Sequence, residues 1–181
     1  MFKIETNRLI LRDFHTGDAN AYVQLTQDKK YQRFYSEEDC TAEKSLALVQ
    51  MFTEQANESP RSKFQLAITV KETGQVIGTC GIRLEGNQQA SMGCGVARSA
   101  QGTGYALEAA SALIEFGFNS LHCHRIYAET IADNKAAIAL CRHLGMREEA
   151  IFKEHRYFKD KWWDTAIYAF LKSEWEQNLA D

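Results

Sequence analysis

Residues 93–118, GCGVARSAQGTGYALEAASALIEFGF, constrain the fold more than any other stretch of this chain. Leu107, Ala110, Ile114, Gly117 and Leu121 recur at helical spacing, so its second half predicts one helix with an apolar face. Its first half predicts a strand over residues 92–97, followed by a turn too rich in glycine to continue it. A helix begun in this way presents its first N–H groups without partners, at the positive end of its dipole. Glycine lets backbone approach an anion and take positive φ, so Gln101-Gly102-Thr103-Gly104-Tyr105-Ala106 predicts a loop that wraps phosphate in amides. Two nucleotide readings fail. A Walker loop ends in Gly-Lys-Ser/Thr, which is absent. A Rossmann fingerprint needs glycine where Leu107 stands and an acidic residue about 20 positions on, and it opens a repeated βαβ pattern.

Here a hairpin precedes the loop instead. In KFQLAITVKETGQVIGTCGIRL, Phe64, Leu66, Ile68 and Val70 alternate, ETGQ turns, and alternation resumes through Ile82 and Leu84. Upstream, RLILRDF predicts a first strand, HTGDANAYVQLTQ a helix capped by Thr16, and TAEKSLALVQMFTEQ a second helix capped by Thr41. Downstream, HRIYAETIA predicts a strand. DNKAAIALCRHLGM predicts a short helix starting near Asp133 or Asn134 and closed by Gly145. EEAIFKEHRYFKDKWWDTAIYAFL predicts two long strands turning around Lys159-Asp160-Lys161. This order describes a mixed α/β (α+β) domain around one central sheet. No repeat, low-complexity tract or linker divides the 181 residues, so a single domain over 1–181 is expected.

Bulk properties narrow the partners. A net charge of −3 and a pI near 6.0 give no basic field for nucleic acid. The start lacks the apolar core of a secretory signal, and no run approaches the roughly 18 apolar residues of a membrane span, so no membrane partner is expected. Cys40, Cys80, Cys94, Cys123 and Cys141 are odd in number and scattered, which points to reduced thiols and a cytoplasmic location.

Several of these stretches resemble, in order, the GNAT superfamily of acyltransferases, and within it the branch that acetylates ribosomal-protein N-termini. IETNRLILRDFHTGDANAY is similar to that branch's opening, with Thr-x-Arg-Leu-x-Leu-Arg followed by Asp-Ala. TGQVIGTCGI resembles its third strand, and QGTGYALEAASALIEFGF its pyrophosphate loop, Gln-x-x-Gly-x-Ala, with the helix that follows. HRIYAETIADNKAAIALCRHLGM and KDKWWDTAIYAFLKSEW are similar to its fifth strand with an Asn-led helix and to its last strand. The matches run from about Glu5 to Trp175.

The resemblance implies a mostly antiparallel sheet of about seven strands, splayed between the fourth and fifth and flanked by about four helices. It implies acetyl-CoA as acyl donor, no metal, and direct transfer to an amine in a ternary complex. Gln101, Gly102, Thr103, Gly104, Tyr105 and Ala106 match the pyrophosphate loop. Gly95 and Val96 match the backbone positions that meet the pantetheine arm, where a main-chain N–H could also steady the thioester oxyanion. Asn134 matches the asparagine that bonds or supports the arm, a role compatible with capping a helix. Two positions depart from the pattern. Cys141 stands where many members carry a tyrosine acid, and Ala137 where the ribosomal branch often has serine. A thiol with an ordinary pKa of about 8.5 could protonate the departing thiolate. Equally, Ala137, Leu140, Cys141 and Leu144 form a core-facing stripe.

Glu129 and Glu154 are the candidate general bases, or else surface carboxylates. An α-amine, with a pKa of about 7.7–8.0, is roughly a tenth neutral at pH 7, so a water relay would serve it where a lysine would need more help. The acceptor implied is the N-terminus of a ribosomal or other protein. A small amine (polyamine, amino acid or aminoglycoside) and a CoA-binding sensor without turnover remain alternatives. His122, Cys123, His124, Cys141 and His143 match no zinc spacing. Tyr157, Phe158, Trp162 and Trp163 fit acceptor recognition, a dimer surface or hairpin packing, which leaves monomer and homodimer open. Arg8 and Arg12 share a face of the first strand, solvent-facing or paired with carboxylates, and have no role at this level.

Overall fold

The computed structural model describes residues 1–180. Its centre is one eight-stranded sheet in the order β1-β2-β3-β4-β5-β6-β8-β7, formed by β1 (Lys3–Glu5), β2 (Leu9–Asp13), β3 (Lys63–Val70), β4 (Val76–Gly86), β5 (Gln89–Val96), β6 (Arg125–Ile131), β7 (Arg147–Phe158) and β8 (Lys161–Leu171). Every neighbouring pair is antiparallel except β5–β6. That exception follows from connectivity: β5 and β6 are joined by a crossover through α3 (Tyr105–Asn119), whereas β3, β4 and β5 turn back on one another through short loops.

Helices cover both faces. On one side lie α1 (Ala19–Thr26) and α2 (Ala42–Gln55), where Tyr22, Leu25, Val49 and Phe52 close on Phe14 and Ala67. On the other lie α3, α4 (Lys135–His143) and α5 (Lys172–Ala180). There Ala109, Leu113, Ile114 and Phe118 of α3 pack on Leu9, Leu11, Leu66, Ile68 and Ile82. Gly117 lies at the closest approach: a Cβ there would sit 2.6 Å from Ile126 Cδ1 and 2.7 Å from Ile82 Cδ1, so both isoleucines would have to repack. Among the described residues no helix is long and apolar enough to cross a membrane.

The expected order of strands and helices is present, with additions at both ends. β1 pairs with β2 through Ile4 and Leu11, so the sheet has eight strands and the parallel junction falls between the fifth and sixth. After β8 comes α5, where Trp175 packs on Phe118 with ring centroids 5.2 Å apart and Glu174 accepts a bond from the Leu171 backbone N–H. Thr41 caps α2 as expected, accepting from the Lys44 N–H at 3.1 Å. Thr16 does not cap α1: it opens a 3-10 turn, Thr16–Asp18, and α1 starts at Ala19. The buried Asp18 organises that entry instead, accepting from the His15 N–H and from both terminal nitrogens of Arg12. Leu107 is also placed differently, 38% exposed, because the first turn of α3 projects past the apolar face formed by Ala109, Ala110, Leu113, Ile114, Gly117 and Phe118.

Candidate active site

The parallel junction is short. Gln89, Ala90, Ser91 and Met92 of β5 pair with Arg125, Ile126, Tyr127 and Ala128 of β6, and there pairing stops although both strands continue. β5 stays bonded to β4 through Cys94, Gly95 and Val96, and β6 stays bonded to β8 through Glu129, Thr130 and Ile131. The strands diverge like the arms of a V, leaving the inner backbone edges of residues 93–96 and 129–131 without strand partners. A Cβ built on Gly93 would meet nothing within 4 Å, and one on Gly95 only the Tyr31 ring, at 4.0 Å. Such an edge is suited to an extended polar chain laid along it.

At the end of β5 the chain makes a 3-10 turn, Arg98–Ala100, and then the glycine loop. Gly102 takes φ +76° and Gly104 φ +82°, conformations that other residues rarely hold, and α3 begins directly at Tyr105. The Thr103 hydroxyl donates to the Ala100 carbonyl at 2.6 Å, closing the turn. Among the described residues no acceptor faces the backbone N–H groups of Gly102, Gly104 or Ala106, and a Cβ on Gly102 would point into open space. Free amides, a helix start and open space together fit a pyrophosphate. One contributor had no role in the sequence. Arg8, in the bend before β2, donates to the Thr103 carbonyl at 2.9 Å, pairs with Glu108 at 2.7 Å and lies over the Tyr105 ring at 4.5 Å. No periodicity links residue 8 to residue 103, so only the fold reveals the contact.

At the mouth of the gap Asn134 caps α4, its Oδ1 accepting from the Ala137 N–H at 3.2 Å. Beside it opens a groove of about 500 Å³ lined by Phe34, Tyr35, Asp39, Glu129, Arg156 and Tyr157, among others. Glu129 is ion-paired with Arg156 across the sheet. Glu154 lies on an irregular stretch of β7 at φ +46°, exposed, with its N–H donated to Asp164, and it does not line the groove. Tyr35, which lines the groove, stacks on Tyr31 at 5.2 Å. Of the aromatic ending, Tyr157 and Phe158 line the groove, Trp163 stacks on Phe158 at 5.1 Å, and Trp162 is 54% exposed.

Cys141 lies elsewhere. It faces the large core beneath α4, 6% exposed, where burial pushes its thiol up to about 11. Gly95 and Val96 thus close β5, Gln101–Ala106 run from the turn after it into the start of α3, Asn134 lines the groove at the start of α4, and Cys141 is buried in the core. No group of three or more His, Cys, Asp or Glu able to hold a metal occurs among the described residues. His122, at φ +55°, occupies the turn into β6.

Comparison with known proteins gives the same reading. Residues 8–147 match the acetyltransferase (GNAT) domain. An uncharacterised N-acetyltransferase, p20 of Bacillus licheniformis, is 30% identical over 97% of this chain and 99% of its own length. The [ribosomal protein uS5]-alanine N-acetyltransferase of Escherichia coli is 24% identical over 96% of this chain and 92% of its own. Among solved structures, a ribosomal L7/L12 alpha-N-protein acetyltransferase in complex with coenzyme A superposes with a TM-score of 0.81, at 20% identity, over 94% of this chain and 98% of the other. A strand pair opened into a V, a glycine loop at a helix start and these matches have one common account: the chain belongs to the GNAT acetyltransferase family and is an acetyl-CoA-dependent N-acetyltransferase.

Proposed function

We propose that the enzyme acetylates the α-amine of a protein N-terminus, ribosomal or other. The observation that carries this reading is the groove of about 500 Å³ beside Asn134. It opens between Phe34, Tyr35 and Asp39 on one side and Arg156, Tyr157 and Phe158 of the β7–β8 hairpin on the other, room that suits the end of a peptide. The alanine N-acetyltransferase among the relatives supports the same acceptor class.

In this reading Gln101, Gly102, Thr103, Gly104, Tyr105 and Ala106 hold the pyrophosphate with backbone amides. Gly95 and Val96 offer their free edge to the pantetheine arm, and Asn134 keeps its amide nitrogen available while its oxygen caps α4. Acetyl-CoA supplies the activated acetyl group. Glu129, at the groove wall, orients the incoming amine and takes its proton through water, a modest demand for an amine already roughly a tenth neutral at pH 7. For Cys141 the burial of the thiol and its raised pKa support packing over proton donation.

Thiol release from acetyl-CoA, followed with a panel of acceptors, tests the proposal. A peptide with a free N-terminus should turn over, and the same peptide with a blocked N-terminus and an internal lysine should not. Turnover confined to polyamines, amino acids or aminoglycosides would overturn the protein acceptor. Binding of acetyl-CoA with no turnover on any acceptor would make the protein a sensor.

A further inference from the structure

We propose that Arg8 is a positioning residue for the donor site, setting both the shape and the charge of the pyrophosphate loop from outside it. The inference rests on the reading of residues 101–106 as that loop.

The shape argument concerns one peptide group. Arg8 Nη1 donates to the Thr103 carbonyl at 2.9 Å. A trans peptide is planar, with its C=O and N–H on opposite sides. Holding the Thr103 carbonyl toward Arg8 therefore turns the Gly104 N–H away from it, toward the open side of the loop. Gly104 completes the turn at φ +82° and ψ 0°, and a side chain there would press on Arg8 Nη2 at 3.3 Å. The arginine and the glycine are thus two halves of one device.

The charge argument concerns Glu108. This carboxylate sits in the first turn of α3, where an unpaired negative charge would repel an anion drawn to the helix start. It is wholly engaged: Oε1 accepts from the Thr6 hydroxyl at 2.6 Å and the Arg8 N–H at 2.7 Å, and Oε2 accepts from Arg8 Nε at 2.7 Å. Burial works to raise its pKa, but these bonds and the guanidinium charge outweigh it and hold the carboxyl below the usual range. Arg8 so cancels the charge most harmful to phosphate while its guanidinium lies over the Tyr105 ring at 4.5 Å. Serving Glu108 with Nε and Thr103 with Nη1 at once needs a rigid fork, which lysine lacks.

The test compares CoA with S-acetylpantetheine, which has no pyrophosphate, by calorimetry for the first and ligand-observed NMR for the second. Arg8→Met should weaken CoA by about tenfold or more while leaving the fragment within about twofold. Arg8→Met/Glu108→Gln should recover part of the loss, because the stranded carboxylate is gone. Arg8→Lys should fall between parent and Arg8→Met. Parental CoA affinity in Arg8→Met, equal losses for both ligands, or no recovery in the double variant would each overturn the inference. If Arg8→Met does not fold, Arg8→Lys decides, and parental CoA affinity there overturns it. A parent protein that binds CoA no better than the fragment is a separate outcome, which removes the pyrophosphate loop itself.

Discussion

On the β5 side of the V the wall is backbone: the free edge of residues 93–96, the amides of residues 102–106, and behind them the fully buried Ala109, Ala110 and Leu113 of α3. On the β6 side the wall is side chains: Glu129 paired with Arg156, Asn134 and Tyr157, with Phe34 and Tyr35 lining the same groove. In the proposed reading the first wall recognises its ligand through conformation, the second through chemistry carried on exposed positions. A backbone wall suits a cofactor that never changes, since its donors are the same whatever the side chains. A side-chain wall suits an acceptor that differs between relatives, since β7 is exposed along nearly its whole length and can be rewritten without disturbing the core.

This contrast can be broken at its strongest point by Gly104→Val. A β-branched residue at φ +82° strains the turn by about 1–3 kcal/mol, so the unliganded loop should relax out of it with little change in melting temperature, and CoA, which must restore the turn, should bind about 10–100-fold more weakly by calorimetry. Unchanged affinity would mean that the backbone wall does not hold the cofactor.

Glu129→Gln probes the other wall with a smaller expected effect. The kcat/KM for a free-N-terminus peptide should drop roughly tenfold while the CoA Kd stays at the parental value. A fall of about 10²–10⁴ in kcat would sharpen the assignment to general base, and a change in CoA affinity would blur the two walls into one. Smallest is Cys141→Ser, which should cost about 1 kcal/mol of stability through a poorly satisfied buried hydroxyl, with kcat of the folded enzyme near parental. A loss of about 10²–10⁴ in kcat at an unchanged melting temperature would instead make the thiol the acid.

The backbone wall was the more legible of the two in the sequence, for a local reason. Gly102 and Gly104 sit at positive φ, which is decided within the loop itself, as the Asn134 and Thr41 caps elsewhere are decided within three residues. Signals that need the folded chain were out of reach. β1 is three residues long, too short to show a period, and exists because Ile4 finds Leu11. α5 has few apolar residues and is held by Trp175 on Phe118 and by Glu174 on Arg147. Thr16 carried the right chemistry for a cap one turn too early, because Asp18 competes for the same entry. The side-chain wall draws on residues 34–39, 129–134, 156–158 and 165, a grouping no single window contains. Arg8 is the extreme case, its partners lying about 100 positions away.

Amide hydrogen exchange with and without saturating acetyl-CoA tests most directly whether the V and its loop hold the cofactor. The account predicts new protection within residues 93–96 and 102–106, at the amides that face the open V or the open side of the loop, and little change along β7 until a peptide acceptor is added. Unaltered exchange at both segments, with acetyl-CoA bound and protection appearing elsewhere, would contradict it.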